Sequence, residues 1–105
     1  MKTFGISVKT YSLICRTLSL YKGIEEVLIF GSRAKGTDKK GSDIDLAIKG
    51  LQCTSLLAME LQGKCNETLP IPYKVDIVDY NSVTDTHLKE HIDRTGLLFY
   101  QKTRN

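Results

Sequence analysis

Asp43 and Asp45 stand one residue apart at the start of an apolar run, alternating with Ile44 and Leu46. Alternate side chains of a strand share a face, so the two carboxylates are expected to project together. Carboxylates that close repel unless one is protonated or a cation lies between them. Hard divalent cations such as Mg²⁺ take oxygen ligands and are commonly held by one or two carboxylates plus substrate phosphates. Upstream, Gly31-Ser32 closes another apolar run, Val27-Leu28-Ile29-Phe30. Glycine permits close backbone approach there, and the N–H groups of a helix start bind phosphate oxygens. The Ser32 hydroxyl adds a donor, and Arg33, Lys35, Lys39 and Lys40 bring charge that would neutralise a triphosphate. A third acid, Asp76, is set among Val75, Ile77 and Val78. A charged group in a buried strand is costly unless it is paired or coordinates a metal. Brought beside Asp43 and Asp45, it would converge with them on one point. That makes an oxygen-ligand site for two Mg²⁺ ions, the arrangement used for in-line displacement at phosphorus.

The elements that must hold these residues follow from apolar spacing. Tyr11, Ile14, Cys15, Leu18 and Tyr21 make one face of a helix over about 7–21, ended by Lys22-Gly23. Residues 24–30 read as a first strand, and 32–35 as a short helical turn with Ser32 as its N-cap. Asp38-Lys39-Lys40-Gly41 is a polar turn, and 43–49 is a second strand. A helix over about 51–68 carries Leu57, Ala58, Leu61 and Cys65 on one face. Gly63 weakens it, and Pro70 and Pro72 bar its continuation. Residues 73–78 form a third strand; a helix capped by Thr84 or Asp85 then aligns Leu88 with Ile92 and stops at Gly96. A short extended tail over 97–100 and a frayed end over 102–105 complete the chain. This order predicts an α/β (α+β) layer fold, a small mixed β-sheet with flanking helices. Strands two and three should be parallel neighbours joined by a right-handed crossover, and the short link between strands one and two favours antiparallel pairing.

With 105 residues, a net charge of +3 and 41% hydrophobic content, the chain is expected to be one small domain over 1–105. A second, acceptor-binding domain does not fit. An enzyme of this size is therefore expected to complete its site with a partner or a second copy of itself, as a homodimer or hetero-oligomer. Nucleic-acid binding usually shows a clustered basic face, and the overall excess here is too small to argue for it, so such binding is not expected of this chain alone. No apolar run approaches the roughly 18 residues of a membrane span, and a signal-peptide pattern is lacking. Cys15, Cys53 and Cys65 are odd in number and form no C-x-x-C pair, so they read as reduced core thiols of a cytoplasmic protein.

Gly31-Ser32-Arg33-Ala34-Lys35-Gly36, Ser42-Asp43-Ile44-Asp45-Leu46 and Val75-Asp76-Ile77-Val78 together resemble the motif of the DNA polymerase β-like nucleotidyltransferase superfamily. Within it, the minimal nucleotidyltransferase branch is the closer match. The resemblance runs from the first strand through the third and implies the palm-like fold of that superfamily. It implies that Gly31 and Ser32 hold the triphosphate; Arg33, from its place beside that turn, is a further nucleotide-binding candidate. Asp43 and Asp45 would bind the metal ions, and Asp76 would complete the metal site and help deprotonate the acceptor hydroxyl. Members of this branch often act with a small all-helical HEPN protein, commonly as a toxin–antitoxin pair. In some pairs the transferase adds AMP to the partner and silences it. The implied activity is thus Mg²⁺-dependent transfer of a nucleoside monophosphate, AMP from ATP, to a hydroxyl on a partner protein.

Plainer readings compete. Asp43 can cap a turn with Ser42, Asp79 fits a strand end, and Arg33 with the lysines can be a solvated loop. His87 and His91 have the spacing of a helical zinc pair, yet no third ligand is evident, so surface or interface roles are favoured. Tyr11, Tyr21, Tyr73 and Tyr100 read as core or partner-facing aromatics. Two other functions share the motif. One is a non-catalytic binding module that neutralises a helical partner by occupancy. The other is small-molecule nucleotidylation of the antibiotic-modifying type, for which the chain looks too short to build an acceptor pocket.

Overall fold

The computed structural model describes residues 3–103. Along them run α1 (Val8–Ser19), β1 (Glu26–Phe30), α2 (Ser32–Lys35), β2 (Ile44–Lys49), α3 (Ser55–Thr68), β3 (Val75–Asp79), a 3-10 turn (Tyr80–Ser82), α4 (Thr86–Thr95) and β4 (Leu97–Gln101). The strands form one sheet in the order β3-β2-β1-β4. β2 pairs antiparallel with β1, placing Phe30 opposite Asp45, and parallel with β3, placing Asp45 opposite Asp76. The mixed sheet with flanking helices is therefore the one the element order predicts.

The two-residue period of β2 decides which face does what. Ile44, Leu46 and Ile48 are fully buried and join Ile29, Val75 and Ile77 in a core closed by Ile14 and Leu18 of α1 and Leu61 and Cys65 of α3. Truncating such a residue, Leu46→Ala for instance, costs about 2–5 kcal/mol. Ala47 belongs instead to a smaller cluster with Phe30 and Ile92 of α4. Asp45 is in phase with Ala47, so it lies on the α4 face, where it is half-buried.

Several boundaries differ from expectation, each for a local reason. Gly31 rather than Ser32 caps α2, at φ 77° and ψ −152°, and Ser32 is the first helical residue. That backbone region is essentially reserved for glycine. α3 begins at Ser55, not near 51, because the Thr54 hydroxyl accepts from Leu57 N at 3.1 Å and fixes the start. Asp85 caps α4, accepting from His87 N at 2.9 Å and Leu88 N at 3.2 Å. The tail over 97–100 is a full strand on β1. Lys102 is not frayed: its N–H donates to Glu25 O at 2.8 Å and its ammonium to Lys22 O at 3.0 Å. Arg104 and Asn105, the rest of the expected frayed end, lie outside the described residues. The outer edge of β3 is covered by α3 side chains. Asn66 bonds both Val75 N and Val75 O at 2.8 Å, and Gln62 accepts from Ile77 N at 2.7 Å. Among the described residues no helix is long and apolar enough to cross a membrane.

Candidate active site

Three chain segments meet at the end of the sheet where β1 finishes and β2 and β3 begin. Asp45 faces Asp76 across the parallel ladder, and Asp43 lies two residues before Asp45 at the exposed entry to β2. Burial holds the Asp45 carboxyl above its ordinary value, and the charges of Asp76 and Asp43 push it further up. His91 and Lys74 pull weakly the other way. The Gly31 turn abuts the same carboxylate: a Cβ on Gly31 would lie 2.8 Å from Asp45 Oδ2. Glycine is thus required twice there, by its positive φ and by the neighbouring acid.

These oxygen donors suit a hard divalent cation, and mutual repulsion of the acids favours one. Among the described residues no three acidic, imidazole or thiol groups are gathered closely enough to hold a metal ion by themselves. A cation placed there would draw its remaining ligands from phosphate oxygens.

The Gly31 turn is also more specialised than its sequence suggests. Gly31 N–H is directed at Thr95 Oγ1, 3.4 Å away, and Thr95 Oγ1 donates to His91 O at 2.7 Å. Ser32 to Ala34 open α2, so their amides have no partner within the helix, and amides of that kind suit an anion. Arg33 differs from its expected part. Its side chain is buried, with Nε and Nη2 both donating to Ser42 O at 3.1 and 2.8 Å and Nη1 to Phe4 O at 3.0 Å. Nη1 also meets Asp38 Oδ2 at 3.4 Å, and the guanidinium lies 4.9 Å from the Tyr73 ring centroid. A fork so engaged is a clamp on the loop, so the expected phosphate contact by Arg33 is not what this position offers. Lys35, Lys39 and Lys40 remain exposed around it.

Two residues near the site carried no sequence signal for it. His91 packs edge-on to Phe30, ring centroids 6.1 Å apart, and is close enough for its charge to act on Asp45. Thr95 holds Gly31 from the same helix. His87 is exposed, as expected of a surface histidine. Asp79 ends β3, buried and accepting from Ser82 Oγ at 2.6 Å. Hollows of about 330 and 740 Å³ lie beside Lys49 and Lys102 at the far end of the sheet, and Asp43 is exposed.

The cysteines are all free, and burial pushes each thiol up to about 11. Thiolate, not thiol, is the nucleophile. The folded protein should therefore resist iodoacetamide at pH 8 and label at all three cysteines once unfolded, as read by mass spectrometry.

Residues 13–105 match the family described as polymerase beta nucleotidyltransferase. A Methanocaldococcus jannaschii relative that carries the name protein adenylyltransferase is 34% identical over 94 residues, covering 82% of this chain and 94% of its own. Among solved structures, a toxin–antitoxin complex with AMP-PNP superposes with a TM-score of 0.67 at 24% identity, covering 90% of this chain and 73% of that one. A complex of a tri-AMPylated Shewanella oneidensis HEPN toxin with its MNT antitoxin gives 0.65 at 21%, covering 90% and 71%. At these identities the two solved structures show a shared fold.

Proposed function

This chain belongs to the polymerase beta nucleotidyltransferase family, and we propose that it moves AMP from ATP to a hydroxyl group on a small helical partner protein of the HEPN type. The observation that carries the reading is the abutment of the Gly31 turn on Asp45, itself opposite Asp76. A phosphate-binding turn and a carboxylate pair in contact are suited to a triphosphate held at its α-phosphorus. Gly31 would allow the phosphates a close approach, and the Ser32 amide and hydroxyl would cradle them. Asp76 would accept the proton of the acceptor hydroxyl as its oxygen bonds to Pα and pyrophosphate departs. A divalent cation, Mg²⁺ by its preference for carboxylate and phosphate oxygens, would be held by oxygens of Asp43, Asp45 and Asp76 together with those of the triphosphate, and would neutralise charge on the triphosphate and leaving group.

The relative named as a protein adenylyltransferase supports AMP as the group moved, and the AMPylated HEPN toxin supports a protein acceptor. The exposure of Asp43 also favours an acceptor that brings its own surface. Positioning is a large part of catalysis, and a docked protein supplies both orientation and exclusion of water. The chain is read as one domain over 1–105, acting in the cytoplasm where its thiols stay reduced.

Co-purification with a helical partner, followed by α-labelled ATP and Mg²⁺, tests this. Label should appear on the partner, located by mass, and should disappear when Mg²⁺ is replaced by EDTA. Efficient labelling of an aminoglycoside-like compound without any partner would replace this reading with the antibiotic-modifying one. Tight binding without transfer would leave a binding module.

A further inference from the structure

Arg33 sits next to Ser32 in the chain, yet its guanidinium reaches every other segment of the site. Nε and Nη2 grip the carbonyl of Ser42, the residue before Asp43. The guanidinium carbon lies over the ring of Tyr73, three residues before Asp76. Nη1 takes Phe4 O from the segment before α1 and Asp38 Oδ2 from the loop. The clamp is closely fitted. Gly5, at φ +75°, passes so near that a Cβ there would lie 2.6 Å from Asp38 Oδ2 and 3.0 Å from Arg33 Nη1. The held turn is itself ordered, with Lys39 N donating to Ser42 Oγ at 2.8 Å and Ser42 N to Lys39 O at 2.9 Å.

We propose that Arg33 is a positioning residue of this site: one buried guanidinium locks the Ser32 turn, the entry of β2 at Asp43 and the approach of Tyr73 to Asp76 into a single register. The proposal rests on the nucleotidyl-transfer reading for its kinetic consequence, though not for the clamp. A planar fork can bond several carbonyls and stack on a ring at once; an ammonium cannot. The positive charge of Arg33 is therefore secondary to its shape. It serves the phosphates indirectly, by holding the amides and carboxylates that meet them.

Arg33→Lys keeps the charge and removes the fork, and Arg33→Ala leaves room for a free guanidinium ion. In Arg33→Lys, kcat should fall about tenfold to a hundredfold while KM for ATP stays within about threefold, because misplacement of the groups is the loss. Millimolar guanidinium should restore part of kcat in Arg33→Ala, and methylammonium should not. In the apo protein, amides 42–44 should exchange faster in both variants than in wild type. A tenfold rise in KM with kcat retained would overturn the proposal and make Arg33 a phosphate ligand. A lower melting temperature with unchanged kcat per folded molecule would also overturn it, leaving a merely structural arginine. If wild type transfers nothing, the nucleotidyl-transfer reading falls. Amide exchange then still decides the clamp, and unchanged exchange at 42–44 would sink it.

Discussion

Asp45→Asn should lower transfer by on the order of a thousandfold or more, equivalent to about 4 kcal/mol of transition-state stabilisation. The apo protein should meanwhile melt at the same temperature or higher. Both results come from the same crowding of acids. Asp45 is half-buried, opposite Asp76 and close to Asp43, and burial first, then those two charges, hold its carboxyl above the ordinary value. The folded state therefore binds the Asp45 proton more tightly than the unfolded chain does. Stability from this group is present below the unfolded carboxylate pKa and is lost as pH rises through the raised folded value. At neutral pH the charged carboxylate is a cost that Asn removes while keeping the side chain's shape. Thermal melts between pH 3 and 8 beside a labelled-ATP assay measure both effects. Wild type should lose stability over the rising limb more than Asp45→Asn does. Marked destabilisation by the substitution at neutral pH would mean that Asp45 is a structural residue, such as a turn cap.

What the sequence made legible was periodic or short-range. Alternation of Ile44, Leu46 and Ile48 with Asp45 placed that acid off the main core, and the α3 crossover made β2 and β3 parallel, so Asp45 and Asp76 were brought side by side. Contacts that depend on how distant elements dock were not legible. Asn66 and Gln62 covering the β3 edge, and Thr95 and His91 of α4 reaching the Gly31 turn and Asp45, have no local signature. Arg33 shows the limit most clearly. A basic residue beside a phosphate turn looks like a phosphate ligand, and only the three-dimensional path of Phe4, Ser42 and Tyr73 turns it into a clamp. The cap of α2 failed for a related reason. Serine is the better side-chain cap, but the chain must reverse at Gly31 in a conformation serine does not adopt.

Gly31→Ala should cut transfer about a hundredfold, and a second glycine lets the cause be isolated. At φ 77° and ψ −152°, an alanine at 31 meets backbone strain of about 1–3 kcal/mol. Its Cβ would also fall 2.8 Å from Asp45 Oδ2, so the carboxylate or the turn must move. A displacement of about 1 Å at such a site is enough for the expected loss. Gly36 ends the same short helix at φ 76°, and a Cβ there would meet nothing within 4 Å. Gly36→Ala therefore carries left-handed strain without crowding the acid. Both variants should melt below wild type, but only Gly31→Ala should lose most of its activity at a temperature where both are folded. If the two lose activity equally, rigidity of the whole α2 turn matters more than the contact with Asp45. If neither does, the Gly31 turn is not where the triphosphate sits, and the phosphate-binding role given to Gly31 and Ser32 is wrong.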